Sequence, residues 1–504
     1  MSGPNLDTNP QYEAVCRIRD ILASQGVQAY LVGGFLRDLL LGVPTRDIDL
    51  AVEGDASHLA RVLADRLDGS FVPLGERHQM ARAVFSMQGE GWQVDVAAIQ
   101  GTVLDDLKRR DFTIDAMALP LDAWGSEDWR RRLLDPCGGQ EDIERRLVRA
   151  ASQSALRDDP ARLLRGPRLA ASLGFQIDNG TRRLIARDAA LVSSVAAERI
   201  RDEFLAIVSL PRAKEHLEML DGLGLLTRVV PELEATRGVS QPREHYWDVF
   251  QHSLETVAAA ELVTGSDRKG PLLAGVPWDE GMESHFAQVV SDGHDRRTMM
   301  RLAALFHDIA KPATKAIDER GRTRFLGHQA EGAAIAGDIL ERLRLSRRGV
   351  QMVCGMVEHH LRPAQMSQGA EMPTPRAVYR YFRDLKEIAI DTLYLCLADY
   401  LAARGPKLVL DDWDRHVRIV RRILEAGLEE RSPEEKPWLV NGHDLMKALG
   451  LSEGSFLGAV LEAVHEAQVA GEVKTREEAL AWAGSYVAEG SSDISSELQR
   501  EEQG

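Results

Sequence analysis

Two aspartates, Asp47 and Asp49, stand two residues apart at the start of an apolar run. Residues i and i+2 of a β-strand point to the same face, so both carboxylates would project into one site. Like charges held that close repel each other unless a cation neutralises them, and carboxylate oxygens suit Mg²⁺. Asp95, between Val94 and Val96, offers a third carboxylate in a place where an isolated acid would be costly. Three such acids fit two-metal nucleotidyl transfer, although an isolated Asp-x-Asp is also common on a solvated strand face.

Two further segments are suited to binding phosphate groups. Gly33 and Gly34 follow a predicted strand and precede a predicted helix, where backbone N–H groups and the positive end of the helix could approach an anion. A Gly-Gly pair between a strand and a helix is also ordinary turn chemistry. The basic run 108–110 places cations where a triphosphate would need them, and it fits a solvated basic turn before a buried helix equally well.

The segment from Asp158 to Arg165 combines acids with arginines at the start of a predicted helix. An aspartate before Pro160 is typical of ordinary helix N-capping. Asp159 and Arg162 also lie three residues apart on one helix face. A fixed acceptor beside a forked donor can pair with the edge of a base.

Histidines and aspartates recur through the second half of the chain, most of them beside apolar segments that predict helices. The set consists of His252, the pair His307-Asp308, His328, the pair His359-His360, and Asp399. Imidazole and carboxylate groups on several helices of a bundle form a metal site when they converge. Scattered surface residues would not explain why so many of these histidines stand in turn-flanking apolar contexts.

The elements that must position these residues divide the chain into five parts. Short β-branched runs at 29–32, 48–52 and 92–96 predict strands, and they alternate with helical stretches such as 57–67. Beyond the turn cluster at 135–139, apolar residues recur at i, i+3, i+4 and i+7, which predicts helices to about residue 486. We expect a mixed-sheet head over 1–136, a helical neck and body over 137–240, a helical domain over 241–428, a helical tail over 429–486 and a disordered acidic tail over 487–504.

Composition limits the class of protein. The 504 residues carry a formal net charge of −16, no run approaches the ~18 apolar residues of a membrane span, and the first residues lack the pattern of a signal peptide. Four widely spaced cysteines argue against a disulfide scaffold or a zinc ribbon, so we expect a cytoplasmic protein. Net acidity argues against nucleic acid, but residues 145–201 contain twelve arginines against five acids. This basic segment predicts one confined RNA-binding face.

Five motifs occur in one order that is similar to the class II tRNA nucleotidyltransferase / poly(A) polymerase family of the polymerase-beta superfamily. They are Gly33-Gly34-x-x-Arg37-Asp38, Asp47-x-Asp49, Arg109-Arg110-Asp111-Phe112-Thr113-Ile114, Asp159-Pro160-x-Arg162-x-Leu164-Arg165 and Glu198-Arg199-Ile200. The resemblance covers about residues 25–210. It implies an α+β fold with a polymerase-beta-type nucleotidyltransferase head and an all-α remainder. It also implies an enzyme that adds C, C and A to tRNA 3′ ends from CTP and ATP.

The resemblance implies roles for individual residues. Asp47 and Asp49 would bind Mg²⁺, with Asp95 as a further catalytic acid. The triphosphate and ribose would be held by Gly33, Gly34, Arg37, Arg110 and Asp111. Nucleotide binding would also involve Asp158, Asp159, Arg162 and Arg165, with Asp159 and Arg162 reading the base.

Three departures from the family pattern bear on which nucleotides are added. Asp158 stands where the family usually has Glu, and Asp115 stands where it usually has Asn. The segment between Asp95 and Lys108 is short, whereas many full CCA-adding members have a longer flexible loop there that is associated with adding the final A. CCA, CC-only and A-only addition all remain open.

The order His…His-Asp…Asp resembles the HD metal-dependent phosphohydrolase superfamily over about residues 240–405. The resemblance implies His252, His307, Asp308 and Asp399 as ligands of a divalent transition metal or Mg²⁺, with His328 and His359, or its neighbour His360, able to hold a second ion. Some HD domains of this kind hydrolyse phosphate esters at RNA ends, and others have lost activity. Residues 439–480 resemble the tail of the same enzymes, which implies contact with the tRNA body.

Two alternative functions stay open at this point. One is a poly(A) polymerase, which a long basic C-terminal extension would favour, whereas this chain ends in an acidic segment. The other is an HD phosphohydrolase of nucleotides or RNA ends whose head only binds RNA. The expected partners are tRNA, CTP and ATP without a membrane, and the sequence does not indicate an oligomeric state.

Overall fold

The structure, a computed structural model, describes residues 10–74, 80–367, 372–430 and 438–501. The chain divides into two units, of which the first comprises residues 1–210 with 215–231 and the second comprises residues 211–214 with 232–504. Within the described residues, no helix is long and apolar enough to cross a membrane. The division into five parts remains a prediction.

The strands predicted near the N-terminus are present. The strands of the first unit are β1 (Ala29–Val32), β2 (Asp47–Val52), β3 (Ser70–Pro73), β4 (Met80–Met87), β5 (Glu90–Ala98), β6 (Ala118–Pro120), β7 (Leu147–Val148) and β8 (Gln176–Ile177). The helices up to residue 229 are α1 (Pro10–Ser24), α2 (Gly33–Leu41), α3 (Ala56–Arg66), α4 (Val103–Lys108), α5 (Gly139–Glu144), α6 (Ala155–Asp158), α7 (Arg162–Leu173), α8 (Asn179–Asp188), α9 (Ala197–Ser209), α10 (Ala213–Gly222) and α11 (Leu226–Val229).

One sheet of six strands carries the head, in the order β3-β4-β5-β2-β1-β6. Only the β2–β5 pair within this sheet is parallel. In β5 the residues Trp92, Val94 and Val96 are buried and alternate with more exposed residues. This two-residue alternation follows from the pleat of a strand, and α3 covers the buried face by packing against β4 and β5. The opposite face is left free for polar groups.

The second unit is predominantly helical, as the apolar periodicity predicts. Its helices are α12 (Val249–Thr264), α13 (Glu280–Phe286), α14 (Arg296–Phe306), α15 (Lys311–Thr314), α16 (His328–Arg342), α17 (Arg347–His359), α18 (Arg362–Gln365), α19 (Pro375–Leu385), α20 (Ala389–Arg404), α21 (Leu410–Glu430), α22 (Gly442–Leu449), α23 (Ser455–Val469) and α24 (Arg476–Glu501). Its short strands are β9 (Val289–Ser291), β10 (His294–Asp295), β11 (Lys315–Ile317) and β12 (Thr323–Phe325).

Two helices form the centre of the second unit. Helices α12 and α20 are apolar on nearly every side, so both are buried, and they pack against each other. Helix α14 packs against α12 and α17, and α17 also packs against α16. The last three helices form a separate small core that includes Leu445, Val460 and Val464.

The last helix runs into the segment for which an acidic tail is predicted. The backbone of α24 continues to Glu501, through most of the acidic segment for which composition predicts disorder. Because α24 is anchored by the buried residues Ala479 and Ala483, extending it needs no new helix nucleus. Residues 431–437 and 502–504 lie outside the described residues.

Candidate active sites

The three predicted carboxylates of the head lie on one face of the sheet. The parallel register sets Asp49 directly opposite Asp95, and Asp47 precedes Asp49 by two residues on the same strand face. All three line one cavity of about 570 Å³. Asp47 is exposed, whereas Asp49 is partly buried, and burial raises the pKa of Asp49 to about 6. A carboxylate whose charge is poorly compensated suits a bound cation, so the site fits the predicted Mg²⁺.

Glycine is required at the start of α2 because the helix begins almost in contact with Asp49. Gly33 has a φ of +64°, and a Cβ placed on it would lie 2.9 Å from Asp49 Oδ2 and 3.2 Å from Arg110 Nη1. The backbone N–H of Phe35 points toward Asp49 Oδ2 at 3.4 Å. The Gly-Gly pair therefore brings a helix N-terminus and an arginine beside the carboxylate, which is more than a plain turn would require.

Arg82 is a member of this site that the sequence analysis missed. It stands opposite Asp95 across β4 and β5 and donates from Nε to Oδ1 at 2.6 Å and from Nη2 to Oδ2 at 2.9 Å. Within the described residues, neither Asp47 nor Asp49 has an ion pair within 4.0 Å. Asp95 is thus already neutralised by Arg82, and its catalytic role remains a prediction.

The raised pKa of Asp49 leads to a prediction about stability without metal. With a folded pKa of about 6 against an ordinary 3.8, the folded chain binds a proton that the unfolded chain has released. The free energy of unfolding therefore falls as pH rises from about 4 to 6, and the ionised carboxylate costs about 3 kcal/mol above that window. We expect Asp49→Asn, which cannot ionise, to raise the urea midpoint of the chelator-treated protein at pH 8 and to change it little at pH 4. The exposed Asp65→Asn should change neither value, and equal midpoints for Asp49→Asn and the parent at pH 8 would contradict the assignment.

Two of the predicted nucleotide-binding arginines, Arg37 and Arg165, are held by acids. Arg37 donates from Nη1 to Asp115 Oδ1 at 2.8 Å and from Nε to Asp38 Oδ1 at 2.9 Å. Arg165 Nε lies 2.9 Å from Asp111 Oδ2. Arg37 and Arg165 line the cavity of the three carboxylates. Asp111 is bound internally, so its visible role in this structure is to orient Arg165.

The predicted base-reading residues stand apart from that cavity lining. Asp159 accepts two hydrogen bonds from Arg199, at 3.0 and 2.8 Å, while Arg162 Nε lies 3.8 Å from Asp159 Oδ2. Arg162 instead donates from Nη1 to the carbonyl oxygens of Ala155 and Arg109, at 3.0 and 3.1 Å. Burial opposes the charge of Asp159, but the Arg199 guanidinium lowers its pKa. Arg199 therefore holds the acceptor of the predicted pair in place.

Asp158 and Asp159 take different positions at the turn before α7. Asp158 is exposed and accepts a hydrogen bond from the hydroxyl of Ser154 at 2.9 Å. Asp159 Oδ1 also accepts from the backbone N–H of Ala161 at 3.2 Å. The N-capping interpretation of this segment is wrong, because the N-cap of α7 is Ala161 and no side chain caps the helix there.

Removing the two hydrogen bonds from Arg199 to Asp159 should weaken nucleotide binding more than it lowers kcat. We expect Arg199→Ala to raise KM for the nucleoside triphosphate about tenfold and to weaken discrimination between CTP and ATP, because Asp159 is then free to rotate. Single-nucleotide incorporation kinetics with each triphosphate would measure both effects. Arg187→Ala, which removes an ion pair with Asp188 of similar geometry, is the matched control. Equal changes in the two variants would show that only positive charge matters.

The basic segment of the neck is more neutral than its composition indicates. Nine of its twelve arginines form ion pairs, namely Arg145, Arg149, Arg157, Arg162, Arg165, Arg168, Arg187, Arg199 and Arg201. Several partners, such as Glu141, Asp142 and Glu203, lie just outside the counted segment. The arginines of this segment without an ion pair among the described residues are Arg146, Arg182 and Arg183, which are exposed.

In the second unit, three histidines at helix ends share one hydrogen-bonding pattern. Each has Nδ1 against the carbonyl oxygen three residues earlier: His307 with Ala304 at 2.9 Å, His328 with Phe325 at 2.6 Å, and His360 with Val357 at 2.7 Å. A carbonyl can only accept, so Nδ1 carries the proton and Nε2 keeps its lone pair in the neutral ring. Among the described residues, the buried Nε2 atoms of His328 and His360 have no hydrogen-bond partner. This is how protein histidines are usually prepared to bind a metal.

Five helices bring six donors together. The residues that contribute are His252 on α12, His307 and Asp308 after α14, His328 at the start of α16, His360 after α17 and Asp399 on α20. They form three overlapping triads in which the ligand atoms lie within 4.8 Å of one another. His252 Nε2 is 3.1 Å from His307 Nε2 and 3.1 Å from Asp399 Oδ1. Most members are buried, and Asp399 is 18% exposed.

The electrostatics of this cluster suit a divalent cation. Burial works against a charged His307, yet Asp308 and Asp399 raise its pKa to about 10. Burial likewise opposes charge on the two carboxyls, but contact with the histidines lowers the pKa of both well below its usual range. Burial lowers the pKa of His360 to about 3. His307 therefore holds a proton that balances the two carboxylates, and a divalent metal could take the place of that proton beside the uncharged imidazole of His360.

Of the two candidates His359 and His360, the geometry favours His360. His360 is 1% exposed and belongs to two of the triads, whereas His359 is partly exposed and belongs to none among the described residues. Neighbouring residues on a helix point about 100° apart, so only one of the pair can face the cluster.

Two residues of this site were not assigned from the sequence. The buried Lys311 has Nζ 2.5 Å from Asp308 Oδ2 and donates to Gln241 Oε1 at 2.6 Å. His245 packs edge-on against the ring of His252, with 5.2 Å between centroids, and burial lowers its pKa to about 4. Both line a cavity of about 340 Å³ next to the cluster. Of these two residues, only Lys311 could have been recognised from the sequence, through its three-residue spacing from Asp308.

Models of known protein families match segments of both units. Residues 29–149 match the poly A polymerase head domain, and residues 174–236 match the "Probable RNA and SrmB- binding site of polymerase A". Residues 249–404 match the HD domain, and residues 334–483 match tRNA nucleotidyltransferase domain 2. The two resemblances stated from the sequence are therefore confirmed.

Similar proteins extend over nearly the whole chain. An A-adding tRNA nucleotidyltransferase of Deinococcus radiodurans is 34% identical over 92% of this chain and 96% of its own. A CC-adding tRNA nucleotidyltransferase of Thermus thermophilus is 33% identical over 92% and 95%. A Thermotoga maritima CCA-adding enzyme complexed with tRNA shares the fold, with a TM-score of 0.61 at 21% identity over 95% of this chain and 96% of that one. The chain thus belongs to the tRNA nucleotidyltransferase / poly(A) polymerase family of enzymes and carries an HD domain in its second unit.

Proposed function

We propose that this chain adds C, A or both to the 3′ end of tRNA, using CTP and ATP. The observation that carries the proposal is the cavity in which Asp47 and Asp49 share one strand face. The relatives named for A addition and CC addition are similar over more than nine-tenths of this chain, which supports tRNA as the substrate. They do not favour one nucleotide, so both stay in the proposal.

Each part of the head has a task in this reaction. Asp47 and Asp49 would hold Mg²⁺, which lowers the pKa of the attacking 3′-hydroxyl and offsets charge on the triphosphate. Arg37 and Arg165 line the same cavity and would bind the phosphates through their guanidinium groups. Asp159 and Arg162 would contact the base from the neck.

Sequencing the products of one reaction tests the proposal. Transcripts of tRNA that end at the discriminator base, at C and at CC are incubated with CTP, ATP or both and then sequenced. Addition of C, A or both, with termination at or before CCA, is the expected result. Long runs of A on any of the three transcripts would instead indicate the alternative poly(A) polymerase. No incorporation by the folded protein into any transcript would contradict the proposal.

We also propose that the HD domain hydrolyses phosphate esters at RNA ends. The cluster of His252, His307, Asp308, His328, His360 and Asp399 supports this second function. A bound divalent metal would supply activated water and charge stabilisation. In the reaction the oxygen of water bonds to phosphorus, the bond from phosphorus to the ester oxygen breaks, and that oxygen takes up a proton. Lys311, beside Asp308, contributes a fixed positive charge.

The cytoplasm is the proposed location. All four cysteines, Cys16, Cys137, Cys354 and Cys396, are unpaired thiols. Free thiols are typical of a reducing compartment.

A further inference from the structure

A second groove adjoins the cavity of the HD cluster. It has a volume of about 360 Å³, and three residues line both spaces: Glu244, Tyr400 and Arg404. The two spaces are therefore neighbours, and a molecule whose phosphate lies at the cluster could extend past these residues toward the groove.

Positive charge in the groove is not fully compensated. Its two acids have arginine partners, Glu244 with Arg243 at 3.4 Å and Asp412 with Arg415 at 3.2 Å. Within the part of the chain that the structure describes, Arg404 and Lys407 have no carboxylate within 4.0 Å. Arg404 is held by a hydrogen bond from Nη1 to the carbonyl oxygen of Glu244 at 2.8 Å. These two cations are suited to an anionic ligand.

The groove also presents an aromatic ring to solvent. Tyr246 is 45% exposed, and its ring is supported edge-on by Trp247 with 4.6 Å between centroids. Its backbone N–H donates to the carbonyl oxygen of Ala403 at 2.8 Å, and Lys407 Nζ lies 5.3 Å above the ring. An exposed, fixed ring with a cation over one face is a combination found where nucleic-acid bases stack.

We propose that this groove binds one nucleotide unit of the substrate of the HD site. The base would stack on Tyr246, and Arg404 and Lys407 would contact the phosphate of that unit, while the ester to be cleaved lies at the His/Asp cluster. This inference rests on the proposed hydrolase function and specifies its substrate class. The HD site would prefer nucleotide esters to phosphate esters that lack a base.

Kinetics with three substrates test the preference. The substrates are 2′,3′-cyclic CMP, a short oligoribonucleotide that ends in a 2′,3′-cyclic phosphate, and bis-p-nitrophenyl phosphate, which has no base. For Tyr246→Ala and Lys407→Ala we expect kcat/KM to fall about tenfold on the nucleotide substrates and less than about twofold on bis-p-nitrophenyl phosphate. Tyr246→Phe keeps the ring and should match the parent on all three. Equal losses on all substrates, or no loss on any, would overturn the proposal.

Comparing the two nucleotide substrates identifies which unit the groove holds. A similar fall on cyclic CMP and on the oligonucleotide places the terminal nucleotide in the groove. A fall on the oligonucleotide alone places the preceding nucleotide there, so that an RNA end and not a free nucleotide is the ligand.

Photo-crosslinking separates failure of the groove from failure of the hydrolase. An oligoribonucleotide with 5-iodouridine at its 3′ end is irradiated with the full-length protein, and the crosslinked peptides are identified by mass spectrometry. We expect an adduct on Tyr246 that is lost in Tyr246→Ala. If the adduct forms but the parent hydrolyses none of the substrates, the proposed hydrolase activity is wrong and the proposed nucleotide-binding groove stands. Adducts confined to the first unit would overturn the groove, whatever the hydrolysis result.

Discussion

Replacing both Asp47 and Asp49 by Ala should abolish incorporation of CTP and ATP into a tRNA that lacks its CCA end. Each single Asn substitution should lower kcat by at least about a thousandfold, because metal ligation and the charge stabilisation that depends on it are worth several kcal/mol. The physical basis is the shared strand face of the two carboxylates and the lack of an ion pair to either among the described residues. The other two acids that line the described cavity, Asp38 and Asp95, are each already paired with an arginine.

Rapid-quench incorporation of a single labelled nucleotide is the measurement. Asp65→Asn, an exposed change in the same unit, should leave the rate unchanged. Circular dichroism and retained metal binding at the HD site would show that the variants are folded. Nucleotide incorporation by the folded double variant at more than about one part in a thousand of the parent rate would contradict the mechanism.

Asp308→Asn and His307→Ala should each lose the metal of the HD cluster and all phosphohydrolase activity while retaining nucleotidyl transfer. Both side chains are almost fully buried and take part in two of the three donor triads. Removing one donor should lower the metal affinity of the cluster at least about 100-fold. The remaining buried groups are then left without their cation. The transfer site has its own carboxylates and should be unaffected.

Metal content per chain, measured by plasma mass spectrometry after dialysis, tests the first effect. Hydrolysis of bis-p-nitrophenyl phosphate with Mn²⁺ or Ni²⁺ tests the second. His359→Ala is the matched control, because it removes a neighbouring imidazole that lies outside the triads, and it should retain both metal and hydrolysis. Full metal content in Asp308→Asn, or an equal loss in His359→Ala, would contradict the assignment.

Local patterns in the sequence were sufficient to predict the longer helices and strands and to predict which residues share a face. The strand and helix predicted at 48–52 and 57–67 correspond to β2 and α3, since the two-residue and 3.6-residue periods arise within each segment. The same local rule places Asp47 and Asp49 together. Short strand pairs such as β9–β10 and β11–β12 were missed, because segments of two or three residues carry too little periodicity to be recognised.

Packing between distant segments decided the rest of both sites. Arg82 neutralises Asp95, and Arg199 clamps Asp159 across 40 residues of sequence, contacts that depend on strand register and on how helices of the neck meet. The rotation of α17 about its axis, set by its packing on α14 and α16, turns His360 inward and leaves His359 outside. The sequence by itself determined the types of donor available and the family. Only the tertiary structure decided which of them meet, because pairing between distant residues depends on the packing of whole elements and leaves no local period to read.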